Sequence, residues 1–271
     1  MVRGGPGDPA VRDAARLALG TLTILPVRPP GRIDRQTGGR AMVLAPLVGL
    51  LLGAVVAALL WTVDAVSVEQ SPLVAAVLGV AAVAALTRGI HLDGLADTAD
   101  GLGSNRPADT ALAIMRKSDV GPFGVATLVL TLLLQVAALS VSFSRGTGPP
   151  ALVVALVVSR LTLPLVCSRG VPAARADGLG ASVAGTVPRT GLLASVVVAA
   201  AVLVLVKVAA YPELSPGGTA LWLFLGGVLP VLLAAALCRR CVRRLGGVTG
   251  DVLGACVEVA FTASLLLGTL G

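Results

Sequence analysis

An aspartate-rich segment, residues 88–104, is the part of this chain best suited to chemistry. It places Asp93, Asp97 and Asp100 within eight residues of a polypeptide that is otherwise largely apolar. On a helix, positions i, i+4 and i+7 fall within about 60° of one another. Three carboxylates on one face repel each other unless a cation lies among them, and oxygen-only ligands suit a hard ion such as Mg²⁺. The spacing therefore predicts a magnesium site of the kind that holds phosphates, with N-capping and solvated loop charges as the alternative.

A second acidic pair lies near the carboxyl terminus, in the glycine-rich segment 245–258. Asp251 and Glu258 are seven residues apart and would share one helix face. An acidic group two turns into an apolar segment is costly and predicts a functional site. Two structural alternatives stay open: Glu258 could pair with Arg160 and tie two helices together, and Asp251 could cap the last helix.

Three further side chains could bind or activate a substrate, and one cysteine pair could bind a metal. His91 is the only histidine and could act as a general base or donate a hydrogen bond. Arg116 and Arg175 could hold phosphate, although Arg116 also fits ordinary basic flanking of a membrane span. Cys238 and Cys241 have metal-ligand spacing, but without a second pair the default is reduced, inert thiols.

The composition predicts the elements that must position these residues. The chain is 56% hydrophobic and 13% charged, with a mean hydropathy of +0.94, which is typical of a membrane protein. Seven apolar runs predict about seven spanning helices, although the second is short. The runs are 41–63, 72–87, 121–143, 149–168, 190–211, 218–238 and 252–270. We therefore predict an all-α polytopic protein in which residues 1–271 form one integral membrane domain.

The basic residues predict the orientation. They concentrate in residues 1–40, 88–120, 169–189 and 239–251, which are alternate loops of the predicted topology. The positive-inside rule places these loops, the amino terminus and the acidic segment in the cytoplasm, and the carboxyl terminus outside. Within the cytoplasmic segment 1–40, residues 17–25 predict an interfacial helix with no cleavable signal sequence. Nucleic-acid binding is not expected, because the arginines are dispersed and only 3% of residues are aromatic.

Taken together, these blocks resemble the cobalamin synthase family, whose members are adenosylcobinamide-GDP ribazoletransferases. The resemblance rests on residues 91–101 (HLDGLADTADG), on 114–124, on 178–180 and on 247–251 with Glu258, in family order. This chain departs from the family pattern in two places. Lys117 stands where family members often have an acidic residue, and Asp119 where they often have a basic one. Phe261 stands where a second acidic residue often follows Glu258.

The resemblance implies a reaction. A ribose hydroxyl of α-ribazole, or of its 5′-phosphate, would attack the phosphorus of adenosylcobinamide-GDP nearest the corrinoid, and GMP would leave. Mg²⁺ held by Asp93, Asp97 and Asp100 would stabilise the phosphate charge, and Asp251 would complete the metal shell or position the attacking hydroxyl. Arg116, Arg160, Arg175 and Glu258 would bind substrate, and His91 or a carboxylate would accept the proton. The implied location is the bacterial inner membrane; the oligomeric state, a homo-oligomer included, stays open.

Two other functions fit parts of the pattern. A CDP-alcohol phosphotransferase also has an aspartate-rich Mg²⁺ motif at the end of membrane helices, but its Asp-Gly-x-x-Ala-Arg pattern is broken here by Asp97 and Thr98. A transporter could use Arg160 and Glu258 along a path through the membrane, but no inverted repeat is evident.

Overall fold

The computed structural model describes residues 9–66 and 71–270, and within these ranges the regular structure is helical. Two isolated β-bridges, Ser168 with Val187 and Ala173 with Val248, join loops. The helices are α1 (Pro9–Leu22), α2 (Arg35–Val43), α3 (Ala45–Val66), α4 (Pro72–Leu86), α5 (Ile90–Gly103), α6 (Ala108–Ile114), α7 (Pro122–Ser144), α8 (Gly148–Val166), α9 (Gly178–Val183), α10 (Arg189–Ala210), α11 (Pro216–Trp222), α12 (Leu229–Leu245) and α13 (Gly250–Gly268). The all-α prediction is confirmed.

Six described helical segments are long and apolar enough to cross a membrane, so the chain is a multi-pass membrane protein. They are α3, α7, α8, α10, α13 and the continuous segment Pro216–Leu245, in which a π-helical stretch, Leu223–Val228, joins α11 to α12. Each coincides with a predicted run, because length and hydropathy are local properties of the sequence.

The remaining run, 72–87, forms a broken element. Helix α4 has 15 residues and reaches spanning length only together with α5, to which it is bent by 88°. The turn lies at Arg88 and Gly89, whose φ angles of 57° and 65° are left-handed and end the α4 helix. Helix α5 is therefore not one of the six spanning helices. It packs against α13 and α7.

The predicted basic loops meet at one end of the bundle. Arg88 donates a hydrogen bond to the Gly20 carbonyl at 3.0 Å, and Arg35 donates to the Ala184 carbonyl at 2.6 Å. Ala174 N–H donates to the Val248 carbonyl at 3.0 Å. Helix α1, longer than the predicted 17–25 element and ending at Leu22, packs into the same core through Ala18 and Leu22.

Candidate active site

The two acidic segments converge where α5 crosses α13, and small residues make the approach possible. A Cβ added to Gly94 would lie 2.7 Å from the Asp251 carbonyl oxygen, and one added to Gly254 would lie 3.1 Å from the His91 Cα. These distances leave no room for a side chain at either position. The backbone of α5 therefore lies directly against α13, with Asp93 and Asp97 beside Asp251.

Asp93, Asp97 and Asp251 form an acidic cleft with Arg175. Asp93 is exposed, whereas Asp97 and Asp251 are partly buried. Arg175 Nη1 lies 3.9 Å from Asp251 Oδ2, and Arg175 Nη2 donates to the Leu112 carbonyl at 2.6 Å. The Thr249 hydroxyl donates to Asp251 Oδ2 at 3.1 Å. The loop arginine thus holds one positive charge against three neighbouring carboxylates.

The electrostatics of the cleft favour a cation. Burial, and then repulsion from Asp93, Asp251 and Asp100, raises the pKa of Asp97 to about 7, while Arg175 acts in the opposite direction. Burial also lowers the pKa of the Arg175 guanidinium, and Asp251 partly offsets that effect. A carboxylate whose ionised form is disfavoured by like charges is stabilised when a divalent cation joins the group.

Asp100 differs from the other two aspartates of α5. It is buried, with 7% exposure, and its carboxylate accepts hydrogen bonds from Gly121 N–H at 2.7 Å and Gly124 N–H at 2.9 Å. A Cβ on Gly121 would lie 2.5 Å from Asp100 Oδ1. Asp100 therefore fastens α5 to the amino-terminal turn of α7, where a carboxylate also complements the helix dipole. In this structure Asp100 therefore matches the N-capping alternative better than it matches the predicted role of a Mg²⁺ ligand.

Arg116 lies at the rim of the cleft. Its Nη2 donates to Asp177 Oδ1 at 2.6 Å, and both side chains are more than half exposed. It is close enough to Arg175 for the two positive charges to repel each other. Arg116 is thus available at the surface, held by an exposed ion pair with Asp177.

His91, Arg160 and Glu258 lie beneath the cleft in a buried polar network. Gln135 Nε2 donates to Glu258 Oε2 at 2.8 Å and to Thr262 Oγ1 at 2.9 Å. Arg160 is 1% exposed, donates to Ser159 Oγ at 2.9 Å, and attracts Glu258. Arg160 Nε and Nη2 and His91 Nδ1 are buried donors or acceptors with no hydrogen-bond partner among the described residues. The structure thus places Arg160, Glu258 and His91 together in the interior, separate from the carboxylates of the cleft.

The chemistry of the cleft fits Mg²⁺ bound together with phosphate. Within the described ranges, no three His, Cys, Asp or Glu side chains are arranged as a ready-made metal cage. Mg²⁺ does not need one, because it usually binds through one or two carboxylates, several waters and substrate phosphate oxygens. Asp93, Asp97 and Asp251 supply that kind of donor. The four cysteines are buried and free, in agreement with inert thiols.

Three sets of hydrogen-bonding groups in and around the site were not identified from the sequence. Thr249, not Asp251, caps α13: its hydroxyl accepts a hydrogen bond from Val252 N–H at 3.3 Å. The alternative in which Asp251 caps the last helix is therefore not what the structure shows. Gln135 was overlooked, although it is the one amide within the apolar run 121–143. Gly121 and Gly124 belong to the family block 114–124, but the sequence did not identify their N–H groups as the donors to Asp100.

Comparisons with known proteins agree on one family. The family model for cobalamin-5-phosphate synthase matches residues 14–269. A Nocardioides sp. protein named adenosylcobinamide-GDP ribazoletransferase is 47% identical over 94% of this chain and 98% of its own length. Relatives of the same name from Frankia casuarinae and Ectopseudomonas mendocina are 41% and 37% identical, each over 93% of this chain and 93% and 97% of their own lengths. No solved structure matches.

Proposed function

This chain belongs to the cobalamin-5-phosphate synthase family, and we propose that its acidic cleft is the active site of a Mg²⁺-dependent adenosylcobinamide-GDP ribazoletransferase. The transferase catalyses the final step of cobalamin synthesis, joining adenosylcobinamide-GDP to α-ribazole or its 5′-phosphate. One observation carries the assignment of the site. Asp93 and Asp97 of α5 and Asp251 of α13, far apart in sequence, are brought together beside Arg175.

Asp93, Asp97 and Asp251 are the residues that would hold Mg²⁺. The bound ion would neutralise pyrophosphate oxygens and the charge that develops on GMP as it leaves. Arg175 is positioned to bind another phosphate oxygen, since its guanidinium is fixed by the Leu112 carbonyl and remains beside the carboxylates. Arg116, at the rim, would exchange its exposed partner Asp177 for a phosphate group.

In the transfer, the ribazole hydroxyl oxygen forms a bond to the phosphorus nearest the corrinoid. The bond between that phosphorus and the bridging oxygen breaks, and GMP departs with the electron pair. The hydroxyl proton passes to a carboxylate of the cleft. We assign the proton to a carboxylate rather than to His91, because His91 is 3% exposed and its Nδ1 lies in the buried network.

The loops around the cleft support a location at the cytoplasmic face of the bacterial inner membrane. They carry most of the basic residues, and the positive-inside rule assigns such loops to the cytoplasm. The nucleotide-bearing substrate would then reach Asp93 and Arg116 directly from the cytoplasm.

The test uses the purified full chain in lipid nanodiscs with adenosylcobinamide-GDP and α-ribazole. We expect GMP release that requires both organic substrates, disappears with EDTA and returns with added Mg²⁺. CDP-diacylglycerol with an alcohol acceptor is the matched control and should yield no CMP. CMP release would support a CDP-alcohol phosphotransferase, and GMP release that persists in EDTA would contradict the Mg²⁺ assignment.

A further inference from the structure

One face of α12 changes from apolar to basic as it reaches the end of the bundle that carries the cleft. Leu232, Ala236, Arg239 and Arg243 are spaced so that they lie within about 60° of one another around the helix. Leu232 is 53% exposed, and the other three are also exposed. Because α12 belongs to the spanning segment Pro216–Leu245, the apolar part of this face can contact lipid acyl chains. The resulting apolar stripe ends in two guanidinium groups.

The two guanidiniums border a groove between α12 and the loop at 170–172. The groove has a volume of about 640 Å³, and its apolar wall includes Val171, Pro172, Ala236 and Val242. Cavities of roughly 300–1,000 Å³ accept ligands of drug size. The groove is therefore large enough for a glycerophosphate headgroup and the first carbons of its chains.

The charge of the groove is not neutralised within the described residues. Among the described residues, Arg239 and Arg243 form no ion pair. The adjacent Arg244, in contrast, donates to Asn105 Oδ1 at 3.4 Å and to the Arg106 carbonyl at 3.3 Å. Two arginines one turn apart match the oxygens of a phosphate group. Because an apolar stripe continues from that pair, the site favours a phospholipid, whose acyl chain can cover the stripe, over a free phosphate.

The groove is also linked to the cleft through the chain itself. Pro172, in its wall, accepts a hydrogen bond from Val248 N–H at 2.9 Å, and Ala174 N–H donates back to Val248 at 3.0 Å. Arg175 follows directly. A ligand against Pro172 therefore restrains the short segment that places Arg175 beside Asp251.

We propose that this groove binds one anionic phospholipid, with its phosphate on Arg239 and Arg243 and an acyl chain along Leu232 and Ala236. Occupancy holds segment 170–175 in place and raises the activity of the cleft. The proposal that lipid binds here depends only on the geometry and charge of the groove. The proposed effect on turnover, in contrast, rests on the proposed function.

The binding test measures phosphatidylglycerol retained by the purified full chain, using native mass spectrometry with phosphatidylcholine as competitor. Arg239→Gln and Arg243→Gln should each reduce retention about fivefold, the size expected for one basic residue at an anionic membrane surface. Arg240→Gln is the matched control: Arg240 is exposed on the same helix but does not line the groove. Equal losses in all three variants, or no preference for phosphatidylglycerol, would overturn the proposal. Displacement of the lipid by α-ribazole 5′-phosphate would instead make the groove a substrate site and also overturn it.

The activity test compares nanodiscs of phosphatidylcholine with nanodiscs that contain phosphatidylglycerol. Wild-type and Arg240→Gln proteins should be stimulated by the anionic lipid. Arg239→Gln and Arg243→Gln should lose the stimulation while keeping the phosphatidylcholine rate and the wild-type melting temperature. Stimulation that survives in both variants contradicts the link to Arg175. If wild-type protein releases no GMP in any lipid, the proposed function fails, whereas the retention result still decides the lipid site.

Discussion

Two polar regions lie one beneath the other along α5 and α13, and they use charge in different ways. The acidic cleft gathers Asp93, Asp97 and Asp251 beside a single arginine, so its negative charge is in excess. In the buried network below, Glu258 is matched by Arg160 and hydrogen-bonded by Gln135. An excess of like charge favours an added cation, whereas a balanced and enclosed set favours a fixed arrangement of helices. Substitutions should therefore cost activity in the cleft and stability in the network.

The largest effect should come from Glu258→Leu. It removes the negative charge that attracts the buried Arg160, and a buried charge left without compensation lowers the free energy of unfolding by up to about 3–5 kcal/mol. Thermal unfolding in detergent, followed by size-exclusion chromatography, should show the loss. Glu258→Gln is the matched variant, since it keeps a polar group for Gln135 and should fall between Leu and wild type. A Leu variant that melts like wild type but has no turnover would move Glu258 into the reaction.

Asp97→Asn should reduce turnover by ~10²-fold or more, the scale seen when an electrostatic group of an active site is removed. Membrane insertion should be intact and the melting temperature of the metal-free protein should not fall, because the substitution relieves repulsion with Asp93 and Asp251. GMP release and the Mg²⁺ midpoint measure the effect. Asp109→Asn, an exposed carboxylate of α6, provides the control and should retain wild-type activity. Full turnover in Asp97→Asn would remove the cleft from the mechanism.

Asp100→Asn tests a residue that lies between the two regions. Its carboxylate accepts two backbone N–H groups at the start of α7, and an amide can accept only one of them without presenting a donor to the other. We expect a loss of about 1.5–3 kcal/mol in unfolding free energy. The Mg²⁺ midpoint should shift less than in Asp97→Asn. Unchanged stability with a lost response to Mg²⁺ would place Asp100 among the metal ligands.

The smallest effect is a pH dependence of Mg²⁺ binding. Because the pKa of Asp97 is raised to about 7, protons compete with the cation below that pH. Apparent affinity should fall by up to roughly tenfold per pH unit below 7 and level off above it. The same upward shift makes the metal-free chain less stable as pH rises from about 4 to about 7, since the folded state then binds the extra proton. Calorimetric titration at pH 6, 7 and 8 should give this profile for wild type and a flat one for Asp97→Asn.

Much of the fold followed from local sequence properties. Six of the seven apolar runs became spanning helices. That the 93–100 and 251 segments would lie together was implied by the family resemblance, since neither the spacing nor the hydropathy of the chain relates two segments so far apart. The bend after α4 was not anticipated, because Ile90 and Leu92 continue the apolar run past Gly89. The helix ends at left-handed backbone at Arg88 and Gly89. Glycine commonly ends a helix in this way, but an arginine rarely adopts a left-handed conformation, so Arg88 gave no signal of the bend.

The division of roles among the aspartates also required tertiary information. Helical periodicity places Asp97 and Asp100 about 60° apart, but does not say which neighbour each one meets. Asp100 meets the amino-terminal turn of α7, and Asp97 meets α13. Arg160 and Arg175 were both candidate phosphate ligands, but Arg160 is enclosed within the helices, whereas Arg175 reaches the cleft from a loop.

The separation of Arg160 and Glu258 along the chain matters during biosynthesis. Arg160 belongs to α8, whereas Glu258 arrives only with α13, after α10 and the α11–α12 segment have been made. Translocon measurements assign roughly 2.5–3.5 kcal/mol to an arginine at the centre of an inserting helix. The nascent protein must therefore carry an uncompensated guanidinium until its last helix is threaded.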